Sequence, residues 1–278
     1  MNAPTARQVV ERIQKQVGVP WRETTVDTFK AGDPDAPVKG IAVTMMATLD
    51  VLQRAARAGC TLVITHEPVF YGHFDRLDDL QKEGDPVLAA KLDLIHRHGL
   101  VVWRFHDHWH LRRPDGILTG MVRALGWERH QSPEDPLLFT LPETTLASLA
   151  ARIRDRLGIR ALRVVGDPNL GVARVGLAPG APGFSGHRRI LRSDAVQVMV
   201  MGEGVEWETI PYAADAVTAG MHKALIILGH IPSEQAGMEE CARWLKGFLT
   251  QVPVKFIPAR EPFWTPDAPP AKKERSSK

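Results

Sequence analysis

An apolar run that ends without transition in a histidine and a carboxylate constrains this chain more than any other feature. Thr61 to Thr65 read as a buried strand, and His66, Glu67 and Pro68 follow at once. Two later runs share the form. Leu100 to Phe105 leads into His106-Asp107-His108-Trp109-His110, and Ala224 to Gly229 leads into His230, with Glu234 four residues on. Open α/β sheets gather ligands beyond the carboxyl ends of their strands, so three such exits direct imidazoles and carboxylates to one region.

The pattern around these runs alternates strand and helix. Val9, Val10, Ile13 and Val17 have the spacing of an amphipathic helix over 7–17, which Gly18 ends. Residues 28–37, rich in Gly, Asp and Pro, read as a loop. A strand over 39–44, a helix over 49–58 capped by Thr48, and the strand before His66 make a βαβ unit, which requires parallel strands. Helices over 86–98 and 117–125 complete a first lobe, 1–130. The polar, proline-containing 131–136 opens a second lobe, 131–257. Within it the sequence predicts a helix over 145–157, strands over 161–165, 173–178 and 196–201, and a loop over 179–186. A closing helix over 234–249, with Ser233 as cap, and a strand over 252–257 follow. The tail 258–278 reads as disordered or surface-draped. The expected fold class is α/β: two similar lobes with mixed or mainly parallel sheets.

Composition narrows the function classes. With 278 residues, 44% apolar content and a net charge of +3, the chain can bury a full core and has no strong bias toward polyanions. The pI of about 8.9 owes part of its value to the terminal Lys272, Lys273, Arg275 and Lys278. Two cysteines, Cys60 and Cys241, without CxxC spacing give no basis for a disulfide framework or a thiolate zinc site. No apolar run approaches the roughly 18 residues of a membrane span, and the first residues lack a signal peptide's apolar segment. A cytoplasmic protein is expected.

The candidate ligands differ in what their spacing implies. His66 and Glu67 are adjacent and face opposite sides of a regular strand, so both reach one cavity only if the chain turns at Pro68. His230 and Glu234 share a helix face at about 5–6 Å between Cβ atoms. His106, His108 and His110 point one way if extended. His73, His96, His98, His130, His187 and His222 read as surface or packing residues. Imidazoles and carboxylates without thiolates suit Zn, Mn, Fe or Ni, and a shell of this size suits a two-metal centre.

The order of these motifs resembles that of the Nif-three-like dinuclear metal-centre family, often labelled GTP cyclohydrolase I type 2 homologues, from about Ala6 to Ile257. That family's Ile-Thr-His-His-Pro strand exit is matched by Ile64-Thr65-His66-Glu67-Pro68. Its His-Thr-Asn-Leu-Asp pattern, with a glycine-rich helix start after it, is matched by His106 to His110 and then Asp115 to Gly126. Its late Gly-His-x-x-Ser/Thr-Glu pattern stands intact from Gly229-His230 to Ser233-Glu234, and its Gly-Glu stands as Gly202-Glu203. The resemblance implies that two divalent transition-metal ions are held by His66, Glu67, His110, His230 and Glu234, with His106 beside them as ligand or acid/base. It also implies a metal pair between the lobes and a toroidal homohexamer whose sites face an interior cavity. Glu67 stands for the family's second histidine and His110 for its aspartate, which marks a variant subgroup with ligand types exchanged between two positions.

A dinuclear metal-dependent hydrolase is therefore expected, acting through metal-activated water on a C–N or phosphoester-type bond of a small molecule, nucleotides among the candidates. In that reading His106 shuttles a proton, Glu203 or Glu206 supports the shell, and a substrate anion sits near the N-terminus of the helix beginning at Glu234. The alternative is a non-enzymatic metal-binding hexamer that serves as scaffold or regulator. No basic stripe with interleaved aromatics is visible, so neither nucleic acid nor membrane is an expected partner.

Overall fold

A computed structural model describes residues 3–266 of the chain. Its first element forms because Thr5 and Gln8 cap each other, side chain to amide in both directions, at the start of α1 (Ala6–Gln16). The predicted stripe Val9, Val10, Ile13 and Val17 is buried. β1 (Phe29–Ala31) lies in the stretch expected to be a loop. Three residues are too few for a periodic signal, and what makes them a strand is a distant partner, with Phe29 opposite Trp103. Gly32 then turns at φ +83, where a Cβ would sit 2.2 Å from the Leu100 carbonyl oxygen.

β2 (Ile41–Thr44), α2 (Leu49–Arg57) and β3 (Leu62–Thr65) are the expected βαβ unit, with Thr48 accepting the Val51 amide at the helix start and the strands parallel. α3 (Asp78–Lys82), α4 (Pro86–Arg97), β4 (Val101–Arg104), α5 (Asp107–Leu111) and α6 (Gly116–Leu125) follow. Every residue of β2, β3 and β4 is buried, which is why these strands read as unbroken runs rather than alternating ones.

The described residues divide into two compact units, 3–121 with 234–259 and 122–233 with 260–266. The second contains β5 (Leu138–Thr145), α7 (Leu146–Leu157), β6 (Arg163–Val165), β7 (Gly171–Ala178), α8 (Gly183–Leu191), β8 (Val198–Met201), α9 (Thr209–Thr218) and β9 (Ala224–Ile227). Its sheet runs β5-β7-β8-β9-β6, with β7, β8 and β9 parallel and both edge strands antiparallel. β5 escapes a sequence reading because Pro142 and Glu143 interrupt its alternation. The predicted loop over 179–186 gives way to α8 at Gly183.

α10 (His230–Lys246) and β10 (Val254–Phe256) close the chain. β10 pairs with β2, so the first sheet runs β1-β4-β3-β2-β10 and the closing strand adds to this sheet, not to the second one as its sequence position suggested. Strand composition does not say which open edge a strand joins. α10 begins four residues earlier than expected because Pro232 is tolerated in a first helical turn. Ser233 is therefore inside the helix, its Oγ donating to the His230 carbonyl and accepting from Gly180 N. Helix N-terminal amides lie at His230, not at Glu234 as the sequence implied. The part of the predicted tail from 267 onward lies outside the described residues.

In the first unit α6 and α10 meet through glycines. A Cβ at Gly120 would lie 2.2 Å from the Ala236 carbonyl oxygen, and one at Gly237 would lie 2.4 Å from Ile117 Cα. Alanine gains roughly 1 kcal/mol of helix propensity but imposes overpacking of about 3 kcal/mol, so Gly120→Ala is expected to lower stability by about 2 kcal/mol, read from urea midpoints.

Candidate metal centre

Thr44, Thr65 and Arg104 end three parallel neighbours at one sheet edge. Pairing continues one step beyond: His66 N donates to the Thr44 carbonyl at 3.2 Å, Glu67 N to Met45 at 2.9 Å and Phe105 N to Thr65 at 2.8 Å. This fixes the backbones of His66 and Glu67, and the bend into Pro68 lets both adjacent side chains reach one place. His66 Nε2 lies 3.2 Å from His110 Nε2 and 3.6 Å from Glu234 Oε2. His106 Nε2 lies 3.8 Å from Glu67 Oε1, and His110 Nε2 lies 3.9 Å from Glu234 Oε1. Two overlapping trios result, His66-His106-His110 and His66-Glu67-Glu234, each with its ligand atoms within 4.8 Å of one another.

The tautomers decide what this cluster accepts. His66 Nδ1 donates to the Phe105 carbonyl at 3.1 Å, His110 Nδ1 to Asp115 at 3.0 Å and His106 Nδ1 to Asp107 at 2.9 Å. Each ring thus turns an Nε2 lone pair inward. Two lone pairs 3.2 Å apart, beside two carboxylates, repel unless a proton on one of the nitrogens or a metal cation stands between them. Burial, reinforced by His106 and His110, pushes the His66 pKa well below the usual imidazole range. On His110 burial acts the same way but is outweighed by the Asp115 hydrogen bond and the carboxylates of Asp115, Glu234 and Glu67, which raise its pKa. Neutral imidazole nitrogens and carboxylate oxygens without thiolate are a donor set that divalent transition metals take, so these residues fit such an ion.

His106 to His110 is a helical turn, not the extended segment whose alternation would align three histidines. His106 and His110 share a face, and His108 points the other way, into the core. There His108 Nδ1 donates to Asp27 at 2.7 Å, Nε2 accepts from Arg22 N at 3.0 Å, and the Trp21 ring stacks on it at 3.6 Å. Asp27 also accepts the amides of His106, Asp107 and His108 at 2.6, 2.9 and 2.9 Å, covering the N-terminus of α5. Asp107 is fixed in turn by Thr25 Oγ1 at 2.8 Å and Val26 N at 3.2 Å, and its hydrogen bond to His106 holds its carboxyl well below the usual carboxylate range.

Arg104 supports the other side. Fully buried, it donates from Nε to the His66 carbonyl at 2.9 Å and from Nη1 to the His73 carbonyl at 2.5 Å. Its charge lies 3.5 Å from Glu67 Oε2 and 3.6 Å from Asp75, which Lys30 also approaches at 3.3 Å. Asp75 accepts the amides of Val69 and Phe70 and so pins the loop after Glu67. Sequence reasoning passed over Arg104, although an arginine inside a buried run was itself the signal. Asp27 carried no local signal at all.

In the second unit β8 and β9 deliver Gly202-Glu203 and Gly229-His230 to one sheet edge, with Gly229 N donating to the Gly202 carbonyl at 2.9 Å. Glu203 Oε1 lies 3.1 Å from His230 Nδ1. Glu206 is not brought to them. It is exposed and pairs with Arg163 at 2.5 Å. Glu234 follows His230 by one turn on α10.

Among the described residues no helix is long and apolar enough to cross a membrane. A GTP cyclohydrolase 1 type 2 homolog of Clostridium perfringens is 22% identical over 241 residues, covering 83% of this chain and 86% of that protein. A homologue of the same name from Clostridium acetobutylicum is 24% identical over 147 residues, 49% of this chain and 53% of that protein. The fold is similar to that of the Staphylococcus aureus hypothetical protein SA1388, with a TM-score of 0.74, 16% identity and coverage of 95% and 100% of the two chains. A Bacillus cereus protein related to NIF3 gives 0.71 at 11% identity, covering 95% of this chain and 100% of that one. With the family's model matched along residues 26–262, the chain belongs to the Duf34/NIF3 (NGG1p interacting factor 3) family.

Proposed function

We propose that this chain is a cytoplasmic metal-dependent hydrolase of a small-molecule substrate, with two divalent transition-metal ions held by His66, Glu67, His110, His230 and Glu234. The observation that carries the reading is the convergence of three inward-turned imidazoles with Glu67 and Glu234 in two overlapping trios that share the buried His66. Metal ions bound there supply a water of lowered pKa and stabilise negative charge on the reacting bond. His106 is the proton carrier: Asp107 takes its Nδ1 proton in a hydrogen bond and leaves Nε2 facing the cluster, the arrangement by which a carboxylate orients a general base. Asp107 stays ionised through the neutral range and so keeps His106 in that tautomer. Glu203, against His230, is the supporting carboxylate in place of Glu206, whose charge is engaged by Arg163. The name carried by the clostridial relatives puts C–N cleavage in a purine nucleotide first among the reactions to assay, with phosphodiesters second. The same proposal includes a homohexamer.

The test is elemental analysis of the untagged protein, its mass in solution, and turnover of GTP and bis(4-nitrophenyl) phosphate after loading with Zn, Mn or Fe. Close to two metal equivalents per chain and metal-dependent turnover are expected. His106→Ala is expected to keep the fold, the assembly and most of the metal while lowering kcat about a hundredfold. Two metals per chain with no turnover across a broad hydrolase screen would favour a metal-binding scaffold instead.

A further inference from the structure

The second unit carries a cavity that shares no residue with the metal centre. It lies between the end of α6, β5 and α7 and has a volume of about 510 Å³, within the range of small-ligand pockets. Its floor is apolar: Leu125, Trp127, Leu141, Leu149 and Ile153, all buried in the body of the unit, turn their faces into it. Its rim is cationic. Arg152 and Arg156 stand one turn apart on α7, both exposed, and among the described residues neither guanidinium has a carboxylate or hydrogen-bond partner.

The Arg156 guanidinium is seated by Gly126. A Cβ at that position would lie 3.3 Å from Nη2, so the glycine backbone leaves the room in which the planar group rests. Asp155 at the same rim does not neutralise the pair, because Arg154 Nε holds it at 3.0 Å. His130, also at the rim, is oriented by the Thr140 carbonyl, 3.1 Å from Nδ1. An apolar floor below two guanidinium groups matches a molecule with an apolar body and a planar anionic head, since a guanidinium fork pairs with a carboxylate through two parallel bonds.

We propose that this cavity binds an amphipathic carboxylate, with an acyl chain or similar apolar body on the Trp127, Leu141, Leu149 and Ile153 floor and its head between Arg152 and Arg156. The chain's own C-terminal segment is a poor occupant, because Lys272, Lys273, Arg275 and Lys278 repeat the sign of the rim.

Isothermal titration of the metal-loaded full-length protein with decanoate, and with decyltrimethylammonium as a cation of equal chain length, tests it. One saturable decanoate site per chain is expected, with no matching site for the cation. The double variant Arg152→Glu/Arg156→Glu, at two exposed positions, is expected to keep the wild-type melting temperature and mass and to bind decanoate about tenfold more weakly or worse. Absence of saturable decanoate binding, equal binding of both probes, or a double variant of unchanged affinity overturns the proposal. A change of assembly mass in the double variant also overturns it, by assigning the cavity to a contact between copies of the chain.

Discussion

Glu234→Gln is expected to leave the protein folded and to weaken zinc binding more than about a hundredfold, beyond the 10–100-fold typical of losing a residue that only supports a ligand. Gln keeps the shape and a carbonyl oxygen but removes the charge that lies 3.6 Å from His66 Nε2 and 3.9 Å from His110 Nε2. Because metal that binds only the folded state stabilises by mass action, zinc at a thousand times its Kd adds about 4 kcal/mol to the wild type. At the same zinc concentration a hundredfold weaker variant gains only about 1.4 kcal/mol. The difference is several degrees in Tm, readable by calorimetry with zinc and with chelator. The pH dependence has a defined sign. His110 has a raised pKa and must lose its proton before its Nε2 can ligate, so zinc affinity rises as pH rises through the His110 titration and levels off above it. A wild-type Tm indifferent to chelator, or a Glu234→Gln variant with the full zinc increment, would remove the metal centre from the account.

What sequence could show of this arrangement was what lies close in the chain or repeats with a period. The βαβ unit from Ile41 to Thr65, the cap at Thr48, and the strand exits at His66 and His230 all follow from runs of apolar residues and their punctuation. The short edge strand β1 did not, since its existence depends on β4, some seventy residues away in the chain. The His106 to His110 segment failed for a different reason: five polar and aromatic residues carry no period. The amide acceptor that makes them a helical turn is Asp27, about eighty residues earlier. Spacing alone fitted three aligned histidines, whereas hydrogen bonding left two at the site and sent His108 into the core.

Asp27→Ala is expected to cost about 3–5 kcal/mol, because it strips the acceptor from a buried charge-assisted pair and leaves three amides and an imidazole nitrogen without a partner in a dry interior. The side chain of Asp27 is fully buried, so water cannot replace it. Asp27→Asn separates stability from positioning. One oxygen remains for the amides of His106 and Asp107, but the new NH2 meets donors at His108 N and Nδ1, so a loss of about 2 kcal/mol is expected. The consequence for function follows from α5. His106 at its N-cap and His110 within it sit on one short turn whose N-terminal amides are held by the Asp27 carboxylate, so a small rotation of that turn moves both Nε2 atoms relative to His66. Zinc affinity in Asp27→Asn is therefore expected to fall 10–100-fold, roughly the effect of losing an orienting partner. Asp107→Asn, which keeps an oxygen for Thr25 and Val26 but turns an NH2 toward the His106 ring, should spare zinc affinity and lower turnover. Urea midpoints and competition titrations on the three variants distinguish the outcomes. A stability loss in Asp27→Asn with wild-type zinc affinity would reduce Asp27 to a packing residue. A parallel fall in both quantities makes it the residue that aims the two histidines.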